Sequence, residues 1–211
     1  ANFIVTEREK HIVAGLQMMG MGPFSNWLAW WITYVLIHTL SAIVLTAGAT
    51  MCEQYPASSP VLLFITIELF VFAAVGFALV IASLIRKPRT AQGVVVLGYL
   101  SSFGLFAINV AIFQRKSAFF EYLLCLNCFV AGSIGILDFT SAAFNGRPVD
   151  IFGVADGFVG SLEPHDAQTP LIMVWIFLVV DAILYIGLAH YIEEVTRGGR
   201  SLYFPFEPSK K

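Results

Sequence analysis

Long apolar stretches constrain this chain more than any motif does. Four of them are long enough to cross a hydrocarbon core of about 30 Å, which takes about 20 helical residues: residues 27–49, 61–85, 93–113 and 171–192. The composition agrees, because 58% of the residues are hydrophobic and only 12% are charged, with a mean hydropathy of +0.79. We therefore expect an all-α integral membrane protein that crosses the bilayer several times.

A fifth apolar stretch, residues 118–144, differs from these spans. Asn127, Gly132, Gly135 and Asp138 interrupt it, and exposing it to lipid along its whole length would be costly. The pattern predicts a re-entrant or interfacial helical hairpin. An acidic extracellular loop is expected to follow it over residues 145–170.

The distribution of Lys and Arg predicts the orientation of the spans. Arg86, Lys87 and Arg89 lie in the short turn between the second and third spans, and further cations lie near both chain ends. Positively charged flanks stay on the cytoplasmic side. We therefore expect both chain ends in the cytoplasm and the hairpin on the opposite, extracellular side. The membrane itself is expected to be the plasma membrane or an endomembrane.

Residues 6–20 have the pattern of a short amphipathic helix before the first span. Thr6 suits an N-cap, and Glu7 and Glu9 fall in the first turn, where carboxylates favour the helix dipole. Leu16 and Met19 continue an apolar face at helical spacing. Such a helix either lies on the lipid headgroups or docks against a cytoplasmic partner, and its balanced charge weakens the headgroup alternative.

In order along nearly the whole chain, the segments resemble the transmembrane domains of ATP-binding cassette transporters of subfamily A. The similar segments are Glu7-Arg8-Glu9-Lys10, Met18-Met19-Gly20, Asn26–Trp30, Leu178–Tyr185 and Tyr203–Phe206. The C-terminal segment, Tyr203–Phe206, is more similar to the corresponding segment in the first half of such transporters than to that in the second half. The resemblance implies an ABC-2 type (type V exporter-like) helix bundle with a cytoplasmic coupling helix and an extracellular re-entrant helical hairpin.

The resemblance also implies a role for each segment of what would be a single transmembrane domain, residues 1–211, cut from a longer chain. Residues 1–5 would end a preceding span, residues 6–20 would be the coupling helix, and residues 193–211 would lead toward an ATPase domain. The residues that couple to the ATPase domain would be Glu7, Arg8, Glu9, Lys10, Leu16 and Met19. The implied partners are a nucleotide-binding domain in cis or in trans, a second transmembrane half, the membrane and a lipid substrate.

The sequence contains no phosphate-binding G-x-x-x-x-G-K-[ST] motif and no catalytic motif. We therefore expect no catalysis and no cofactor in this segment, with ATP and magnesium bound by a nucleotide-binding domain elsewhere. The formal net charge of −2 gives no basic patch for nucleic acid. Two other interpretations stay open: a stand-alone multi-span scaffold or interaction protein, and a permease subunit of a two-component ABC-2 exporter.

Polar side chains at membrane depth are candidate functional residues, because placing them there costs a few kcal/mol. Glu68, Asn109, Asp181 and Tyr185 are candidates for a substrate path or for polar contacts between helices, and both interpretations stay open. Asp181 and Tyr185 lie one turn apart on the same helix face. His38 is more simply explained as a buried histidine with a satisfied hydrogen bond than as part of a proton relay.

The three cysteines are Cys52, Cys125 and Cys128. The predicted topology places them outside or near the outer leaflet, where an oxidising compartment would permit a disulfide. Cys125 and Cys128 have metal-ligand spacing, but there is no second pair of ligands, so we expect no zinc site. Packing of the two in the hairpin, or a bridge from Cys52 to one of them, are the expected alternatives.

Overall fold

The computed structural model describes residues 6, 15, 18–20, 22–85, 88–108, 118–152 and 169–196. Within them six helices follow one another: α1 (Pro23–Met51), α2 (Pro60–Leu84), α3 (Pro88–Ile108), α4 (Ala118–Leu124), α5 (Cys128–Phe144) and α6 (Leu171–Thr196). These described residues contain no strand. The all-α class predicted from the sequence is confirmed.

Three of these helices are long and apolar enough to cross a membrane, over Leu28–Met51, Pro60–Leu84 and Leu171–Glu193. In α3 the apolar part that the structure describes is shorter, Gln92–Ile108, and residues 109–113 of the predicted third span lie outside the described residues. The chain is thus a multi-pass membrane protein.

Prolines begin the first three helices, at Pro23, Pro60 and Pro88. Proline suits the first helical position, because its ring already has a helical φ and the amide hydrogen that it lacks would have no intrahelical partner there. Helix α1 therefore begins before residue 27, where the apolar stretch starts. Pro88 is the first residue of α3, although it lies within the turn that Arg86, Lys87 and Arg89 were predicted to form.

Helix α2 is the central helix and packs against α1, α3, α5 and α6. It approaches α6 closely at Gly76, where a Cβ atom would lie 3.1 Å from the Tyr185 Cβ and 3.5 Å from the Ala182 carbonyl oxygen. Small residues permit such close contact between membrane helices, whose association depends on van der Waals packing. Gly76 therefore lets α2 and α6 pack backbone against backbone.

Helix α5 packs closely against the same two helices. A Cβ atom on Gly135 would lie 3.0 Å from Thr66 Cγ2 on α2 and 3.4 Å from Val174 Cγ1 on α6. The Thr66 hydroxyl accepts a hydrogen bond from Trp175 Nε1 (2.9 Å) and donates one to the Leu62 carbonyl (2.9 Å). Helices α2, α5 and α6 are thus one packed unit with a satisfied polar contact inside it.

The outward faces of α1, α3 and α6 are apolar. Large exposed side chains on these faces include Leu36, Leu40, Val44, Leu97, Leu100, Phe103, Ile176 and Ile183. A surface of this kind would be unfavourable in water and is the one expected in contact with hydrocarbon.

Candidate functional site

Glu68 on α2 joins this helix to α1. The Thr39 hydroxyl donates a hydrogen bond to Glu68 Oε1 (2.6 Å), and Glu68 Oε2 is buried with no hydrogen-bond partner among the described residues. The structure thus places Glu68 in a contact between helices, one of the two interpretations that the sequence left open.

Asp181 on α6 is completely buried, with 0% of its surface exposed. Neither carboxyl oxygen has a hydrogen-bond partner within the part of the chain that the structure describes. Cys128 and Tyr185 lie close enough to Asp181 to interact with it electrostatically. A buried polar group without a partner costs free energy, so this carboxyl group is an unfavourable element in the α2–α5–α6 unit.

Tyr185 lies one turn after Asp181 and connects α6 to the α4–α5 turn. Its hydroxyl donates a hydrogen bond to the Leu126 carbonyl (3.0 Å), and its ring packs edge-on against Phe77 of α2. Tyr185, on the helix face that it shares with Asp181, thus bonds to the α4–α5 turn.

The turn itself carries a second polar contact, which the sequence analysis did not predict. Asn127 caps α5, because its Oδ1 accepts the Phe129 amide hydrogen (3.1 Å), and its Nδ2 donates to the Ser102 hydroxyl of α3 (3.1 Å). Asparagine before an apolar run is a recognised N-cap signal. The cap could therefore have been found from the sequence, whereas nothing in the sequence pairs Ser102 with it.

Two grooves lie between the helices beside this unit. The Phe106 groove, with a volume of about 350 Å³, lies between α2, α3 and α5 and is lined by residues that include Thr66, Phe70, Phe106 and Gly132. The His38 groove, of about 330 Å³, lies between α1, α2, α3 and the start of α5, and its lining includes Tyr34, His38, Phe70, Ala74, Ala78 and Tyr99. Neither Glu68 nor Asp181 lines either groove.

The His38 groove exists because small side chains face bulky ones. Ala74 and Ala78 lie one helical turn apart on α2, so they leave space between the larger residues of α1 and α3. His38 is exposed rather than buried, which corrects the simpler sequence interpretation, and it is one of the residues that line the groove.

No disulfide joins the three cysteines. Cys52 is exposed just after α1, whereas Cys125 and Cys128 are both 0% exposed in and after the α4–α5 turn. A bridge from Cys52 to one of the other two is therefore not formed in this structure, and Cys125 and Cys128 belong to the buried apolar core. Among the described residues, no group of three or more His, Cys, Asp or Glu side chains is placed to hold a metal ion.

Several predicted site residues lie outside the described residues. They are Asn109 and five of the six proposed coupling residues, namely Glu7, Arg8, Glu9, Lys10 and Leu16. The sixth, Met19, is 78% exposed, and its amide donates a hydrogen bond to the Gly15 carbonyl (3.2 Å). An exposed apolar side chain at this position is consistent with contact to a partner or to lipid, and the coupling role remains a prediction.

The family model described as ABC-2 family transporter protein matches residues 1–191 of the chain. A mouse protein named cholesterol transporter ABCA5 is 28% identical over 214 residues, which cover 95% of this chain and 12% of that protein. The human ATP-binding cassette sub-family A member 2 is 24% identical over 98% of this chain and 9% of its own length. An Arabidopsis protein, ABC transporter A family member 9, is 30% identical over 55% of this chain and 12% of its own length.

Proposed function

This chain belongs to the ABC-2 family of transporter proteins, and we propose that it moves lipids or lipid-like molecules across a membrane with energy from ATP. The family match and the resemblance to subfamily A members identify it as a membrane part of a transporter. It spans about 12% of the length of the mouse relative. ATP binding and hydrolysis would therefore take place in a nucleotide-binding domain outside this segment, and a second transmembrane half would complete the transporter.

The His38 groove is the observation that carries the lipid proposal. It is lined mainly by apolar side chains, and a few polar groups are placed on α1 and α3, at Tyr34, His38 and Tyr99. Sites for small molecules typically combine an apolar lining with a few polar groups that fix orientation. A molecule with an apolar body and one small polar group, such as a sterol, matches this lining. The name of the mouse relative supports the same class of substrate.

The groove also has a suitable position for a substrate that arrives from the membrane. It lies between α1, α2 and α3, and His38, one of its lining residues, is exposed. The neighbouring outer faces are apolar, so a lipid could pass between bilayer and groove without crossing a polar barrier.

We expect that filling the groove blocks transport. Ala74→Leu and Ala78→Leu add bulk at its floor, and each should lower ATP-driven lipid transfer several-fold in the full-length transporter reconstituted into vesicles. Transfer of a labelled phospholipid and a labelled sterol would be measured with ATP and with a non-hydrolysable analogue. Ala47→Leu, on the exposed part of α1, is the matched control and should transport normally.

The outcome separates the competing interpretations. ATP-dependent transfer that falls only in the groove variants supports the proposal. Transfer that needs ATP but is unchanged in both variants would remove the groove from the substrate path. If the wild type transfers no lipid with ATP, the scaffold interpretation replaces the proposed function.

A further inference from the structure

We propose that Ser102 and Tyr185 form a latch that holds the α4–α5 turn inside the bundle, and that the turn leaves this position during transport. The latch consists of two contacts, Ser102 with the Asn127 side chain and Tyr185 with the Leu126 carbonyl. The movement part of the proposal rests on the proposed transport function, whereas the latch itself does not.

The turn lies beside the middle of a membrane-spanning helix. Tyr185, whose hydroxyl contacts the turn, is 14 residues after Leu171 and 8 residues before Glu193 (185 − 171 and 193 − 185) in the apolar part of α6. At 1.5 Å per residue, Tyr185 is about 21 Å from one end of this part and about 12 Å from the other, and its hydroxyl reaches the turn. Backbone polar groups at such a depth need partners inside the protein, because hydrocarbon offers none.

The first contact gives the Ser102 hydroxyl two roles. It donates to the Gly98 carbonyl of its own helix (2.9 Å) and accepts from Asn127 Nδ2 (3.1 Å). Ser101 is the natural comparison, since its hydroxyl also donates to the Gly98 carbonyl (2.9 Å) but faces outward and is exposed. Among the described residues, the hydrogen bonds of the two serines differ in the bond from Asn127 of the turn, which Ser102 alone accepts.

The second contact comes from the opposite side of the turn. The Tyr185 hydroxyl donates to the Leu126 carbonyl at 3.0 Å, and Tyr185 is held in place by the close approach of its Cβ to Gly76. Tyr122 of α4 also contacts α6, but through its ring, which stacks on Phe177 with ring centroids 5.8 Å apart. Tyr185→Phe therefore removes a hydrogen bond to the turn. Tyr122→Phe, in contrast, leaves the ring contact with Phe177 intact.

The buried Asp181 carboxyl group opposes the closed position, in which the turn lies inside the bundle. This carboxyl group is fully buried without a hydrogen-bond partner among the described residues, and it interacts electrostatically with Cys128 at the start of α5. Moving the turn away would let water reach this carboxyl group and remove its desolvation cost. Two hydrogen bonds thus hold the α4–α5 turn inside the bundle, and the buried carboxyl group opposes this position. Because these contributions oppose each other, the turn can leave the bundle at a small cost in free energy.

The buried cysteines of the turn report its position directly. Cys125 and Cys128 are 0% exposed, so a membrane-impermeant, water-soluble maleimide should react with them only when the turn opens. The full-length transporter in vesicles, with Cys52→Ser as the common background, would be treated for increasing times. Labelling of the peptide that contains Cys125 and Cys128 would be quantified by mass spectrometry.

Without ATP, Ser102→Ala and Tyr185→Phe should each raise the labelling rate about 2- to 10-fold, as expected for a hydrogen bond with a net contribution of about 0.5–1.5 kcal/mol. The matched controls Ser101→Ala and Tyr122→Phe should label like the background protein, and Ser102→Thr should restore slow labelling. Equal rates in latch and control variants would overturn the proposal.

A second arm tests the movement separately. In the Cys52→Ser protein with Ser102 and Tyr185 unchanged, adding ATP and lipid should raise the labelling rate of Cys125 and Cys128. A non-hydrolysable ATP analogue should not raise it. If the latch variants label faster but ATP has no effect, the latch stands and its role in transport is refuted. If ATP drives lipid transfer without any rise in labelling, the proposed function stands and the turn does not move.

Discussion

At the residue scale, two helices end with the same backbone motif but with different residues. After α1, Glu53 has a φ of 51°, and the amides of Glu53 and Gln54 donate to the carbonyls of Thr50 and Ala49. After α5, Gly146 has a φ of 63°, and the amides of Gly146 and Arg147 bond in the same way to Ala143 and Ala142. This is the Schellman motif, which favours glycine at the left-handed position.

Replacing Glu53 with glycine should therefore stabilise the protein. The left-handed conformation costs a side chain about 1–2 kcal/mol, and part of this gain is offset by the greater freedom of glycine when unfolded. We expect Glu53→Gly to raise the free energy of unfolding by about 0.5–1 kcal/mol, and Gly146→Ala to lower it by about 1 kcal/mol. Thermal unfolding in detergent measures both, and Gln54→Gly is the control. A Glu53→Gly variant no more stable than Gln54→Gly would contradict this.

The position of a polar residue within a long apolar run predicts that it is buried in the membrane, but it does not predict which residues it contacts. Glu68 and Asp181 stand out in the sequence because a carboxyl group is costly at membrane depth. Their environments differ, since Glu68 accepts a bond from Thr39 whereas Asp181 has no partner among the described residues. Ser102 does not stand out at all, because a serine can bond to its own helix and is common in membrane spans.

At the element scale, helices were predictable and their contact faces were not. The second span, predicted over residues 61–85, corresponds closely to Pro60–Leu84, because a long apolar run bounded by proline leaves little choice. Helices α1, α2 and α6 are apolar all round, however, so periodicity does not separate a lipid-facing side from a protein-facing one. The central position of α2 and the two grooves beside it follow from side-chain size at particular positions.

Gly76 is one such position, and its substitution should separate α2 from α6. A Cβ atom there meets the Tyr185 Cβ at 3.1 Å and the Ala182 carbonyl oxygen at 3.5 Å, neither of which can rotate away. We expect Gly76→Ala to lower the free energy of unfolding by about 1–3 kcal/mol, the usual cost of overpacking. Gly187→Ala on α6 is the control, because its Cβ would meet nothing within 4 Å. Equal thermal unfolding of the two variants would show that the contact is not tight.

At the scale of the whole molecule, the chain has the packed unit of α2, α5 and α6, with α1 and α3 placed against it. The His38 groove lies between the unit and these two helices, and the Ser102 contact crosses from α3 to the turn of the hairpin. Movement of α3 relative to the unit would therefore change both the groove and the latch. The groove and the Ser102 contact both lie between α3 and the packed unit. We therefore expect substrate access to the groove to depend on the position of the α4–α5 turn.

The orientation of the whole molecule is predicted from its charges and can be tested with one reagent. Residues 52–59, between α1 and α2, include no Lys or Arg, whereas three cations, Arg86, Lys87 and Arg89, come shortly before Thr90 in the sequence. Cations are retained in the cytoplasm, so Cys52 should lie outside and Thr90 inside. In intact cells an impermeant maleimide should label Cys52, which is exposed. In a Cys52→Ser background, Thr90→Cys should be labelled only after permeabilisation, and the reverse pattern would invert the topology and place both chain ends outside.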